Sequence, residues 1–236
     1  MAFECVSRTH VGLRRKINED SLLALTDRGL WVVADGMGGH DAGEVASAKV
    51  VDALQRLPQI DDLDRLVEHA IVALERVNRE LIALAEAGDQ RKIGTTVVGL
   101  AIADGQMRCF WAGDSRAYRV RDGMIIQLSR DHSLVQELVD AGMLDEQGMQ
   151  DHPSSNLITR AVGVAEELKV DTVSGDAAAG DIYLLASDGL TRVVEDQELV
   201  AVLTGLEPEQ AADRLLEAVL DRGAPDNVTM VITRLT

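Results

Sequence analysis

Apolar residues along this chain follow two rhythms, and the change from one to the other marks out its elements. Gly29-Leu-Trp-Val-Val-Ala-Asp35 is a continuous apolar run closed by Asp-Gly, the pattern of a strand buried on both faces and ended by a turn. From about Ala42 to Leu57 the spacing becomes helical. Between Asp62 and Ala87, Leu63, Leu66, Val67, Ala70, Ile71, Leu74, Val77, Leu81 and Ile82 recur every three or four residues with charges opposite. This stripe predicts a long amphipathic helix lying on something flat.

After Gly88 the pattern shortens again. Ile93 to Ala103 and Met107 to Trp111 flank Asp104-Gly105, and Ala117 to Val120 and Met124 to Leu128 flank Asp122-Gly123, so both pairs read as β-hairpins. His132 to Met143 has helical spacing, and Leu144 to Val164 is polar and rich in turn formers, the expected place for a mobile functional segment. Asp181 to Ala186 is a further buried strand, Glu195 to Thr204 and Pro208 to Arg222 are amphipathic helices, and Val228 to Leu235 is a closing strand. Hairpins in place of a regular strand–helix alternation predict an α+β fold of antiparallel sheets covered by helices. With no repeat, Pro-rich linker or low-complexity tract, residues 1–236 are expected to form one domain.

Composition narrows the functional classes. The 23 basic and 40 acidic residues give a net charge of −17, which repels nucleic-acid phosphates, so no nucleic-acid partner is expected. Aromatics make up only 3% of the chain, so the core must be built from Val, Leu, Ile and Ala. Cys5 and Cys109 sit in strand-like contexts and read as buried structural thiols, not as a disulfide framework or a zinc pattern. The first residues lack a signal-peptide run and no stretch is apolar enough to cross a bilayer, so the expected location is cytoplasmic, without membrane attachment.

Four Asp-Gly pairs divide into two kinds. Hairpin turns account for Asp104-Gly105 and Asp122-Gly123. Asp35-Gly36 and Asp188-Gly189 instead follow apolar runs, each placing a carboxylate where a buried strand surfaces, with a glycine that permits close backbone approach. Either alone reads more readily as a turn than as a ligand. Asn18-Glu19-Asp20, Gly113-Asp114-Ser115-Arg116 and Asp226-Asn227 add acidic groups, most of them bordering apolar runs. If the strands converge, carboxylates crowd together at a cost that only cations relieve. An all-oxygen set suits Mg²⁺ or Mn²⁺, and a pair of such ions can activate water against phosphorus without a cysteine or serine nucleophile. Arg15, three residues before Asn18, is a candidate for a bidentate phosphate contact, although by itself it reads as part of a solvated basic run. Neither cysteine is followed by arginine six positions on, and no Gly-rich nucleotide loop of the Walker type is present.

The ordered set Arg15-Lys-Ile-Asn-Glu-Asp20, Val33-Ala-Asp-Gly-Met-Gly-Gly39, Gly94-Thr-Thr96, Gly113-Asp-Ser-Arg116, Ser187-Asp-Gly-Leu-Thr191 and Asp226-Asn227 resembles the bacterial branch of the metal-dependent type 2C Ser/Thr protein phosphatases. The likeness runs from about Gly12 to Val231. It implies a four-layer α-β-β-α sandwich with a flap at about 130–165 and two tightly held Mn²⁺ or Mg²⁺ ions. In that scheme Asp35 bridges both ions, the Gly36 carbonyl binds one, and Asp188 and Asp226 hold the other. Glu19 and Asp20 act directly or through water, Asp114 serves a weaker third ion, and Arg15 holds the substrate phosphate. The implied substrates are proteins phosphorylated on Ser or Thr by a partner kinase in bacterial signalling, acted on by a monomer. The alternatives are a catalytically silent phosphoprotein-binding module and an enzyme acting on small phosphoesters. One departure concerns the proton donor: Met37 stands where animal members carry a histidine, so a metal-bound water is the preferred donor, and His40, three residues on, is a second candidate that reads more readily as a solvent-facing structural residue.

Overall fold

The structure, a computed structural model, describes residues 2–38, 42–87, 93–145, 148–149 and 152–236. One sheet comprises β1 (Phe3–His10), β11 (Val228–Leu235), β10 (Ile182–Ala186), β7 (Arg116–Arg121) and β8 (Met124–Gln127), in that spatial order. The other comprises β2 (Asp20–Leu25), β3 (Leu30–Gly38), β5 (Val97–Ala103), β6 (Gln106–Ala112) and β9 (Asp171–Asp176), with β4 (Ile93–Thr95) also paired to β3. Every pairing is antiparallel. The helices are α1 (Ala42–Gln55), α2 (Leu63–Ala87), α3 (Leu134–Asp140), the single turn α4 (Asp188–Thr191), α5 (Asp196–Gly205) and α6 (Pro208–Asp221).

Side-chain alternation turns these strands into layers. In β3, Leu30, Val32 and Ala34 pack with Val50, Leu54, Leu74 and Leu81 of α1 and α2. Trp31 and Val33 point the other way, joining Val98, Leu100, Trp111, Tyr183, Leu185 and Val231 between the sheets. In β11, Val228, Met230 and Ile232 meet Leu199, Leu203, Leu215 and Val219 of α5 and α6. A strand covered on both faces must be apolar at every position, which is why these segments read as unbroken runs. The result is the expected sandwich: helices, sheet, sheet, helices.

Both hairpin turns form as expected. Asp104 and Gly105 have φ of 49° and 73°, and Asp122 and Gly123 have 52° and 74°, the paired left-handed conformations of a two-residue turn matched to strand twist. Cys109 is buried in β6, whereas Cys5 in β1 is only half-buried, short of the expected enclosure. Among its described residues the segment after α3 forms no long helix, yet its far end is not loose. Isolated bridges join Ser133 to Ile158 and Thr95 to Val162, and Asn78 of α2 accepts from the Gly163 amide at 2.6 Å and donates to the Ala165 carbonyl at 2.8 Å.

Candidate active site

The period of two carries Asp35 to the inner face of β3, after Trp31 and Val33, where the space between the sheets opens. Its backbone is clamped by β4 and its neighbour: the Asp35 carbonyl accepts from the Thr96 amide at 2.8 Å and the Thr95 hydroxyl at 3.0 Å, and its amide donates to Thr96 Oγ1 at 3.0 Å. Asp20 lies opposite Asp35 in the β2–β3 register. The carbonyl of Glu19 accepts from the Gly36 amide at 3.1 Å and Ser47 Oγ at 2.6 Å, and its carboxylate accepts from the Gly43 amide at 3.1 Å, in the first turn of α1. A Cβ on Gly36 would lie 2.1 Å from the Gly43 carbonyl oxygen, so glycine is required for α1 to approach so closely.

The second sheet supplies the facing acids. Asp188 begins α4 directly after β10, and Asp226-Asn227 precede β11. A Cβ on Gly189 would lie 1.8 Å from the Asn227 carbonyl oxygen, so this glycine lets the two segments meet. Asn227 then ties in the N-terminal loop: its Nδ2 donates to the carbonyls of Val11 at 2.8 Å and Ile17 at 3.0 Å, while its Oδ1 accepts from the Glu19 amide at 2.8 Å. This brings Arg15 to Asp226 in a bidentate pair, 2.8 and 2.7 Å, with the guanidinium half exposed.

The electrostatics show how closely the acids converge. Burial, followed by the charges of Asp20, Asp188, Asp114 and Asp226, holds the Asp35 carboxyl well above the usual carboxylate range. Burial also raises Asp20 to about 7; hydrogen bonds from Thr229 and Ser187 oppose the rise and the charges of Asp188 and Asp226 add to it. Asp114 is pushed to about 7 by burial and by Asp188, against Arg192. Asp188 is raised by burial and by Asp226, and Arg192 opposes that shift. Two carboxylate oxygens, Asp20 Oδ1 and Asp114 Oδ1, are buried without a hydrogen-bond partner.

Among the described residues, no three acidic, histidine or cysteine side chains are gathered at the spacing of a closed coordination shell. Arginines already pair with these acids: Arg15 takes Asp226, and Arg192 takes Asp188 at 2.9 Å and Asp114 at 3.1 Å. The donor chemistry nevertheless suits hard divalent ions. It is all oxygen, rich in like charge, and includes orphaned buried oxygens that a cation would satisfy. Beside the cluster lies an open cavity of about 270 Å³, lined by Asp114, Asp188 and Arg192 on one side and by Asp131, Ser133 and Ser155 on the other.

The chain matches the family model described as Protein phosphatase 2C over residues 13–233. It belongs to the protein phosphatase 2C family. The serine/threonine protein phosphatase PstP of Mycobacterium tuberculosis is 38% identical over 227 residues, covering 96% of this chain and 44% of PstP, so the chain spans less than half of that relative's length. The serine/threonine phosphatase stp of Listeria monocytogenes is 33% identical over 234 residues, with 95% and 93% covered. Among solved structures, PppA, a key regulatory component of T6SS in Pseudomonas aeruginosa, superposes with a TM-score of 0.94 at 42% identity, covering 100% of this chain and 99% of PppA. The catalytic domain of PstP in complex with two manganese ions superposes with a TM-score of 0.87 at 36% identity, covering 98% and 97%.

Seen as a type 2C domain, the chain brings Asp20, Asp35, Asp114, Asp188 and Asp226 together, with Glu19, Gly36 and Arg15 at the margins. Asp114 does not pair with Arg116, two residues on; Arg116 instead grips Asp131 through Nε and Nη2 at 2.7–3.0 Å. His40 lies outside the described residues. His132, without a role from sequence, accepts from the Gly113 amide at 3.1 Å and stacks on Trp111, fixing the turn that presents Asp114. Sequence reasoning missed Ser187, whose hydroxyl donates to Asp20 Oδ2 at 2.8 Å and accepts from the Thr229 amide at 3.0 Å. It also missed Arg192, although an Asp and an Arg four residues apart in a helical turn are a readable pair.

Proposed function

We propose that this protein removes phosphate from phosphoserine and phosphothreonine of other proteins, using Mn²⁺ or Mg²⁺ held by Asp35, the Gly36 carbonyl, Asp188 and Asp226. Glu19 and Asp20 complete the set, directly or through water. One observation carries the reading: five aspartates from both sheets meet at one end of the sandwich, with two buried oxygens unpartnered. Bound ions of this kind neutralise the carboxylates and lower the pKa of water toward neutrality, supplying a nucleophile for phosphorus.

The protein's own residues do the rest. Ser187 orients Asp20 at the rear of the cluster, and the Thr95–Thr96 clamp fixes Asp35 so that its carboxylate stays aimed between the sheets. Arg15, half exposed at the rim, presents a guanidinium whose fork matches two phosphate oxygens, the use it already makes of the Asp226 carboxylate. The thiols take no part: burial pushes Cys109 to about 12 and also raises Cys5, so neither is a ready thiolate.

A role in reversing a Ser/Thr kinase in bacterial signalling is supported by the family and by the regulatory function in the name of the P. aeruginosa structure. No described helix is long and apolar enough to cross a membrane, which is compatible with a cytoplasmic monomer meeting phosphoproteins in solution. The test is hydrolysis of an aryl phosphate and a phosphothreonine peptide before and after chelation, with Mn²⁺ or Mg²⁺ restored. Turnover is expected to vanish with chelation and return with metal, and a folded Cys5→Ser/Cys109→Ser double variant should keep it. Turnover that survives chelation would sink the proposal.

A further inference from the structure

The arm of the cluster formed by Asp114 and Asp188 already has a cation, and it belongs to the protein. Asp188 starts α4, and the backbone closes one turn so that the Arg192 amide donates to the Asp188 carbonyl at 2.9 Å. The turn returns the arginine side chain over the aspartate. Its Nε pairs with Asp188 Oδ2 at 2.9 Å, and its Nη2 reaches Asp114 Oδ2 at 3.1 Å and the Ser155 carbonyl at 3.3 Å. One guanidinium thus spans two carboxylates that meet where β7 and β10 pair, and a carbonyl of the segment beyond α3. Asp114 is 4% exposed, and its Oδ1 has no partner, so its charge is balanced chiefly from the Oδ2 side.

We propose that Arg192 is a tethered counter-ion that fills the cation position at Asp114, so that a metal ion binds there only when Arg192 is displaced. The inference rests on the metal-dependent reading above. A guanidinium fixed four residues from its aspartate acts at high effective concentration, which a weakly bound divalent ion must overcome. The tight ions are then confined to the side of the cluster with Asp35 and Asp226, and Asp114 serves as the anchor for Arg192.

The test counts bound metal and does not depend on turnover. Protein stripped by chelator is titrated with Mn²⁺ by calorimetry, with the bound metal measured directly, for wild type, Asp114→Asn, Arg192→Gln and the Arg192→Gln/Asp114→Asn double variant. Circular dichroism melts check folding. The expected result is that Asp114→Asn binds as many ions as wild type, Arg192→Gln gains one weaker equivalent, and the double variant loses that gain. The proposal is overturned if Asp114→Asn alone binds one ion fewer than wild type, or if Arg192→Gln binds no more than wild type. If Arg192→Gln does not fold, the comparison of Asp114→Asn with wild type still decides. Absence of Mn²⁺ binding in every protein, wild type included, would instead bring down the metal-dependent reading and this inference with it.

Discussion

Asp20→Asn in chelated protein should raise stability, although it removes a residue of the proposed centre. Burial and the neighbouring charges lift the Asp20 carboxyl from 3.8 to about 7 in the folded state. At ~1.4 kcal/mol per tenfold, that is a folded-state penalty of roughly 4 kcal/mol once the group is fully ionised. The sign follows from proton binding: between the two values the native state holds a proton that the unfolded chain has released, so stability falls as pH rises through this window. The loss is complete above about 7.

Asp188 and Asp226 share the repulsion, so roughly 4 kcal/mol is a ceiling for one site; a quarter to a half of it, ~1–2 kcal/mol, corresponds to ~2–8 °C in Tm for a chain of this size. Asparagine keeps an oxygen for the Ser187 hydroxyl and replaces the unpartnered Oδ1 with a neutral amide, removing the buried charge. The assay is thermal unfolding in chelator at about pH 5 and about pH 8, reading the difference between variant and wild type. That difference isolates Asp20, because burial lowers the His132 pKa and His132 therefore works in the opposite direction as pH rises. The variant should be the more stable at the higher pH, with the gap narrowing at the lower, and saturating Mn²⁺ should reverse the ranking by mass action on the better ligand set. A variant Tm equal to or below wild type at about pH 8 in chelator would refute the reasoning.

Three further outcomes follow from contacts already described. Arg15→Ala should raise KM for a phosphopeptide about tenfold or more, the loss of a charge-assisted contact of ~1.5–3 kcal/mol, with a smaller change in kcat; steady-state kinetics read this directly. Gly189→Ala should destabilise by ~3 kcal/mol or more in urea unfolding, because its methyl group would overlap the Asn227 carbonyl and the backbone must move. His132→Ala should cost ~1–3 kcal/mol by leaving the buried Gly113 amide unpaired and removing the stack on Trp111, measurable as a lowered urea midpoint at an unchanged m-value.

What could be read from the sequence followed burial. β3, β5, β10 and β11 are covered on both faces, and α2 and α6 on one, so each leaves a strong periodic imprint. β9, Asp171–Asp176, lies at a sheet edge with most residues exposed, and its sequence Asp-Thr-Val-Ser-Gly-Asp carries no such imprint. β1, also an edge, mixes Arg8 and His10 into its apolar positions for the same reason. Within the site, Asp35 and Asp188 stood out because each ends an apolar run. Asp20 did not, since in Asn18-Glu19-Asp20 only the pairing with β3 decides which carboxylate turns inward. Arg192 was hidden because its value depends on Asp114, which is distant in sequence and brought beside Asp188 only by the pairing of β7 with β10.

The position of β11 has a consequence for how the molecule is made. The strand latest in the sequence lies between β1 and β10, and the residues just before it, Asp226 and Asn227, complete the acid cluster and tie down the Arg15 loop. Until that strand is synthesised, β1 and β10 have no neighbour in common, and their facing edges stay unpaired. Pairing residues more than two hundred positions apart is a slow, late event in folding. Assembly of the acid cluster therefore waits on β11: a polypeptide interrupted short of that strand presents two open strand edges where one that includes it gathers the five aspartates.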